Sequence, residues 1–301
     1  MKKIIKNNVG IIFLALIPIF SLIIGFVLNE DLSTGGAKWD FNLTWPIIVD
    51  YSNFNFTTNI TRHMPLHYVL IAILNKIFYN QEFIRIFYLF FSFLIPVFIY
   101  LNLVKIYNFN KFILLIFSSS FLFIPLFRAS AIWANAHLTA TIFFLIGNYF
   151  YLKSKEKNIF IYKIFNLLFL SFSIYCIQTY FLLYLYYLYN YFFLEKFKNF
   201  IKLFFLSVLL SLPGLIFIML NPRIVGFGDI ITRDIFYTLS SNFSLIFFFF
   251  TFLLLNKENL RTILNQIRNL KKIEIISMLL ITIFIFFNHD LFSLDPRLRG
   301  G

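Results

Sequence analysis

Long apolar segments recur along almost the whole chain. The stretch 9–28 contains no charged residue and is long enough for one helix to cross a bilayer. Hydrophobic residues make up 60% of the 301 residues, and the mean hydropathy is +0.82. Soluble domains of this length do not reach such values. The sequence therefore predicts an all-α polytopic membrane protein.

The lengths and spacing of the apolar segments predict about nine transmembrane helices. Residues 66–79 form a shorter apolar segment that Pro65 opens at a helix-start position, and we predict a juxtamembrane helix there rather than a span. The predicted spans are 9–28, 83–104, 112–127, 130–151, 159–176, 179–193, 200–219, 236–255 and 273–287.

The distribution of positive charge predicts the orientation of the chain. If 66–79 does not cross the bilayer, most of the 26 Lys and Arg residues lie on the same side as the basic N-terminus. They include Lys105, Lys111, Lys153, Lys155, Lys157, Lys163, Lys196, Lys198, Lys202, Lys257, Arg261, Arg268, Lys271 and Lys272. Because cytoplasmic loops are enriched in Lys and Arg, we predict a cytoplasmic N-terminus and a large outer loop at 29–82. The net charge of +13 is then explained by the membrane, so nucleic acid is not a predicted partner.

The outer loop 29–82 combines ionisable groups with residues that permit turns. It contains Gly35-Gly36, Pro65, Arg62 and two histidines, together with the carboxylates of Glu30, Asp31, Asp40 and Asp50. Chemistry needs ionisable groups held on a backbone that can turn, and this loop has the highest density of both. If the protein is an enzyme, we expect its active site here.

The order of these elements resembles the GT-C superfamily of polyprenyl-phosphate-sugar-dependent glycosyltransferases, which includes protein O-mannosyltransferases and lipid A aminoarabinose transferases. Glu30-Asp31 follows the first helix, where members carry an acidic residue. The run His63-Met64-Pro65-Leu66-His67-Tyr68 is similar to a family signature that leads into a juxtamembrane helix. The resemblance covers roughly residues 1–155. It departs from the family at Met64, which replaces a proline, and at Ala134-Asn135-Ala136-His137, where many relatives carry an Asp.

The resemblance implies transfer of a sugar from a polyprenyl-phosphate donor to a glycan, lipid or protein acceptor at the outer face of a bacterial inner membrane. Such transfer needs a base for the acceptor hydroxyl, and we predict Asp31 in that role, beside Glu30 and supported by Asp40. Cationic groups stabilise the leaving phosphate. We predict that substrate and phosphate are bound by Arg62, His63, His67, Arg128 and His137.

Each of these residues also has an ordinary structural interpretation. Glu30 and Asp31 can solvate a helix end, Asp40 can be a simple loop residue, and the histidines and arginines can anchor at the interface or snorkel to it. His63 and His67 lie four residues apart but lack a carboxylate at matching spacing, so no motif supports a metal. No cofactor is assigned with certainty.

Two other functions stay open. A transporter or flippase of lipid-linked sugars predicts charged residues within spans and broken helices at mid-membrane. A truncated, non-catalytic membrane protein is suggested by residues 294–301, whose composition differs from the single transmembrane domain predicted for 1–293. Our hypothesis is that the chain ends in foreign or frameshifted sequence and has lost further helices.

Overall fold

A computed structural model describes residues 2–32, 36–56 and 63–220, with side chains described at 13–32, 36–56 and 63–219. Within these ranges all regular elements are helical, in agreement with the predicted all-α class. The α-helices are α1 Lys2–Val27, α2 Gly36–Ser52, α3 Leu66–Phe78, α4 Gln81–Ser92, α5 Leu94–Ile106, α6 Lys111–Ser120, α7 Pro125–Ile132, α8 Ala136–Lys157, α9 Phe160–Cys176, α10 Phe181–Leu194 and α11 Phe197–Leu220. Two short 3-10 segments lie at Phe121–Phe123 and Gln178–Tyr180.

Fewer helices than predicted are long and apolar enough to cross a membrane. In the described part of the chain two qualify, Gln81–Ile106 and Phe197–Met219. The segments Lys111–Phe123 and Pro125–Ile132 make a third only if they are taken as one span bent by 68°. The prediction of nine spans is therefore not supported, while a membrane-associated helical protein is consistent with these segments.

The missing spans have physical reasons. Pro125 begins a new helix after Ile124, and Ala134 adopts a positive φ of 46° that separates α7 from α8, so the predicted spans 112–127 and 130–151 are each interrupted. Helix α9 has 17 residues, which at 1.5 Å per residue reach only about 25 Å. The predicted spans 236–255 and 273–287 and the tail 294–301 lie outside the described residues.

The predicted outer loop contains two helices rather than one. Helix α3 begins directly after Pro65 and ends at Phe78, one residue before the end of the predicted apolar segment. Helix α2, by contrast, was not predicted, because Gly35-Gly36 was interpreted as part of a turn. Gly36 is the first residue of α2, so Asp40 lies on a helix.

The helices are joined by packing and by hydrogen bonds to backbone carbonyls. Gly147 allows α8 to approach α9 closely, since a Cβ atom there would lie 3.2 Å from Leu170 Cγ. Beside it Asn166 donates to the Gly147 carbonyl at 2.9 Å, and Ser173 donates to the Ala140 carbonyl at 2.8 Å. Small residues and polar side chains at helix crossings are typical of membrane helix pairs.

The predicted cytoplasmic ends of several helices meet one another. Lys105 of α5 pairs with Glu156 of α8 at 2.5 Å. Lys163 of α9 is buried, forms an ion pair with Glu195 and donates a hydrogen bond to Asn158 Oδ1. Within the described ranges, the basic segments near 105, 153–163 and 196–202 are thus neighbours in the fold.

Candidate active site

Two of the predicted site residues bind each other. Arg128 donates from Nε to Glu30 Oε1 at 2.7 Å and from Nη2 to Glu30 Oε2 at 2.6 Å. Its guanidinium group also donates to the hydroxyl and the carbonyl of Ser21 at 3.0 and 2.7 Å. Two parallel bonds between a guanidinium and a carboxylate are strong and directional. This contact connects α7 to both the interior and the end of α1.

Gly25 makes room for this ion pair. A Cβ atom at position 25 would lie 2.4 Å from both Arg128 Nη2 and Glu30 Oε2. The Glu30 backbone N–H also donates to the Gly25 carbonyl at 2.8 Å, which turns the chain back at the end of α1. The sequence places the glycine on the helix face that the pair covers.

Arg85, which was not among the predicted site residues, contacts the same region. Its guanidinium carbon lies 3.9 Å from the Trp133 ring centroid, and its Nε donates to the Ile132 carbonyl at 3.1 Å. Its Nη2 donates to Asn29 Oδ1 at 2.8 Å. Trp133 in turn donates from Nε1 to the Glu30 carbonyl at 3.0 Å. A charged residue inside an apolar run was the signal that could have identified Arg85.

Asp31 contacts the start of α2. Its Oδ2 accepts a hydrogen bond from the Lys38 backbone N–H at 2.8 Å. The first N–H groups of a helix lack partners within the helix, and a carboxylate that accepts from them caps the helix and opposes its dipole. This contact assigns Asp31 a positioning role toward the helix that carries Asp40.

Asp40 lies where three parts of the chain converge. Its carboxylate accepts a hydrogen bond from the Asn135 side chain and is close enough to His63 and Asp31 to interact electrostatically with both. Partial burial is the largest effect and raises the pKa of Asp40, and Asp31 acts in the same direction. His63 and Asn135 oppose this increase because they stabilise the carboxylate.

The pKa of His63 moves in the opposite direction to that of Asp40. Burial lowers the pKa of the His63 imidazole, and the Asp40 carboxylate partly offsets this effect. The raised pKa of the acid and the lowered pKa of the imidazole bring the two values closer together. Closer values favour transfer of a proton between neighbouring groups, as general acid–base chemistry requires.

The other two predicted histidines lie next to His63. The rings of His63 and His137 meet edge to face, with centroids 5.9 Å apart. Asn135 precedes α8 and accepts from the His137 backbone N–H at 3.1 Å, so one residue both caps the helix and contacts Asp40. Asn135 lies in the segment where the sequence departs from the family, but it was not predicted as a site residue.

His67 faces the interior rather than the surface. It is 2% exposed, and its Nδ1 is hydrogen-bonded to Thr139 Oγ1 at 2.9 Å, beside the Tyr88 hydroxyl. Burial is the main reason that the pKa of His67 falls to about 3, and the nearby His63 and His137 lower it further. A neutral, buried imidazole in a hydrogen-bonded triangle is placed to support the histidine cluster rather than to hold an anion.

The predicted residues thus fall into two groups. Glu30 and Arg128 form one, while Asp31, Asp40, His63, His67 and His137 form a second that Asn135 completes. Arg62 lies outside the described residues. Among the residues that the structure describes, no set of three or more His, Cys, Asp or Glu side chains has an arrangement suited to a metal ion.

Comparison of the chain with protein-family models, with curated proteins and with solved structures gives no match. Function must therefore be inferred from the residues and their geometry.

Proposed function

We propose that the protein is a membrane glycosyltransferase of the GT-C type. In this proposal it transfers a sugar from a polyprenyl-phosphate donor to a cell-envelope acceptor at the outer face of a bacterial inner membrane, with its N-terminus in the cytoplasm. The observation that carries the proposal is the meeting of Asp40, His63 and Asn135 beside Asp31. These groups come from α2, from the segment before α3 and from the start of α8, so side chains from three distant parts of the chain converge, as in many active sites.

The geometry favours Asp40 over Asp31 as the general base. Asp31 already accepts a bond from the Lys38 backbone, whereas the pKa of Asp40 is raised toward the range in which a carboxylate removes a proton effectively. Asp40 would take the proton from the acceptor hydroxyl as its oxygen bonds to the anomeric carbon. The bond from that carbon to the phosphate oxygen then breaks, and polyprenyl phosphate leaves with its electron pair. Displacement at the opposite face inverts the anomeric configuration.

The phosphate needs a positive or hydrogen-bonding environment. His63 and His137 lie at the site, and Arg62 precedes His63 in the chain. Arg128 is less suitable than the sequence suggested, because all its described hydrogen bonds go to Glu30 and Ser21. Membrane lipids would surround the exposed apolar faces of α10 and α11.

The test compares cell-surface glycans by mass spectrometry in strains that lack the gene or express wild type, Asp40→Asn, Asp31→Asn or Asp50→Asn at equal protein levels. Asp50 is the matched control because it lies on α2 with Asp40. We expect the null strain and Asp40→Asn to lose the same sugar, and Asp50→Asn to retain it. Asp31→Asn should retain the sugar with little change in stability, because an asparagine side-chain oxygen can accept the same helix-capping bond.

Two results would count against this proposal. A null strain with an unchanged glycan profile would refute the transferase, and full glycosylation in Asp40→Asn would refute Asp40 as the base.

One observation favours a transporter or flippase as the second candidate. The chain bends by 68° between Lys111–Phe123 and Pro125–Ile132, and the second segment carries the buried Arg128. Broken helices with a buried charge are characteristic of transporter substrate sites. In that case the null strain would accumulate the lipid-linked sugar in the inner leaflet, while a purified protein would show no transferase activity.

A further inference from the structure

An apolar groove of about 300 Å³ lies between α2 and α3. Its lining includes Phe54 and Phe56, which follow α2, and Ile73 and Ile77 on α3. All four side chains are exposed, Phe54 to 74% and Ile77 to 64%. Large apolar side chains that remain exposed around a groove indicate that another apolar molecule covers them. The groove lies apart from the Asp40 site and does not depend on the proposed glycosyl transfer.

One polar atom of a residue that lines the groove lacks a partner. Tyr51 is 3% exposed, and its hydroxyl makes no hydrogen bond with any part of the chain that the structure describes. Burial raises the pKa of Tyr51, so the hydroxyl keeps its proton and can donate. Buried donors in proteins are nearly always paired, and leaving one unpaired is unfavourable. A hydrogen-bond acceptor on a bound molecule would satisfy it.

A positive charge lies at the same groove. Lys76, in the last turn of α3, is exposed, and its Nζ lies 3.6 Å from the Phe54 ring centroid. None of the ion pairs within the described ranges involves Lys76. The groove therefore offers apolar walls, one buried donor and one cation.

We propose that this groove binds an acyl chain of an anionic glycerophospholipid, with the ester carbonyl accepting from Tyr51 and the phosphate facing Lys76. Such a lipid carries an acceptor between its apolar chain and its phosphate, as this arrangement requires. A polyprenyl phosphate has no acceptor in that place, because its chain is hydrocarbon up to the phosphate ester. At roughly 30 Å³ per water-sized group, the volume holds about ten methylene groups, which is part of one acyl chain and much less than a long polyprenyl tail.

The test measures lipid binding by native mass spectrometry of the full chain in detergent. The probes are dioleoyl phosphatidylglycerol, its ether-linked analogue without the carbonyl groups, and dioleoyl phosphatidylcholine. The variants are Tyr51→Phe, Lys76→Gln and Ile73→Trp, which narrows the groove from its open side. Tyr79→Phe is the matched control, because Tyr79 is 83% exposed and does not line the groove.

We expect wild type and Tyr79→Phe to bind the ester lipid about fivefold more tightly than the ether lipid, as one neutral hydrogen bond allows. Tyr51→Phe should bind both lipids at the lower level, Lys76→Gln should lose the preference for phosphatidylglycerol over phosphatidylcholine, and Ile73→Trp should weaken all three. Tyr51→Phe removes only an unpaired hydroxyl, so it should fold normally.

Equal binding of the ester and ether lipids by wild type would overturn the proposal. The proposal would also be overturned if an equal concentration of undecaprenyl phosphate displaced phosphatidylglycerol and Tyr51→Phe did not change the binding of either lipid. That second result would assign the groove to an isoprenoid chain.

Discussion

The ion pair between Glu30 and Arg128 should be strongly coupled energetically. Arg128 makes four hydrogen bonds, two to the carboxylate and two to Ser21, and its side chain is 8% exposed. The Glu30 side chain is 24% exposed. Replacing one partner therefore leaves an uncompensated charge, but the arginine would be left in a drier environment than the glutamate.

The expected magnitudes follow from this difference in burial. Breaking a buried ion pair from one side costs roughly 3–5 kcal/mol. Glu30→Leu should reach about 4 kcal/mol, since it isolates a buried guanidinium. Arg128→Met should cost about 3 kcal/mol, because the remaining carboxylate can regain water. The double variant replaces both charges with apolar groups and should cost about 2–3 kcal/mol less than the sum of the single variants.

The assay is a double-mutant cycle on the free energy of unfolding of the purified protein in mixed micelles. Lys105→Met and Glu156→Leu provide the control cycle, because Glu156 is 44% exposed and an exposed pair should couple by less than about 1 kcal/mol. If the effects of Glu30→Leu and Arg128→Met add within about 0.5 kcal/mol, the pair does not hold α7 to α1 and our interpretation of it is wrong.

Three further predictions follow from buried polar groups and from charge. His67 has a pKa of about 3 when folded and 6.5 when unfolded, so its protonation favours the unfolded state as the pH falls below 6.5. His67 alone should lower the free energy of unfolding by about 2 kcal/mol from pH 7 to pH 5, and His67→Gln should remove this part of the pH dependence in denaturation curves. Asn166→Leu should cost about 1–3 kcal/mol in the same assay, because it leaves a buried carbonyl and a tyrosine hydroxyl without their hydrogen bonds. In a Cys176→Ala background, a cysteine at Asn53 should react with an impermeant maleimide in intact cells, whereas one at Lys157 should react only after permeabilisation; the reverse pattern would contradict the cytoplasmic N-terminus.

The start of α3 is an example of a helix boundary that neighbouring residues alone predict. Pro65 and the apolar run that follows it predict a helix, and the structure begins that helix at Leu66. The signals depend only on neighbouring residues, because proline suits the first turn of a helix and interrupts its interior. Helix α2 was missed for the complementary reason. Gly35-Gly36 and Asp40 suggest a turn, but Asp31 caps α2 from outside and the buried face of α2 packs on the rest of the fold.

Among the residues that the structure describes, fewer helices qualify as spans than predicted, because apolar composition does not by itself require a crossing. Pro125 divides the apolar segment 112–127. The positive φ of Ala134 separates α7 from α8, and α8 has 22 residues but contains too many polar and charged side chains to count as a membrane-capable helix. Hydropathy records the preference of each residue for an apolar environment, and buried protein core satisfies that preference as well as lipid does.

The sequence alone determined the helical class, the presence of segments apolar enough to cross a membrane and the types of ionisable side chain available for a site, since these depend on composition and local periodicity. The tertiary structure decided which of those groups meet. It paired Glu30 with Arg128 across 98 residues and brought Asn135 to Asp40 from a helix start far along the chain. It also buried His67 against Thr139. Such pairings depend on how the helices pack, and residue types and local spacing carry too little information to fix contacts between distant segments.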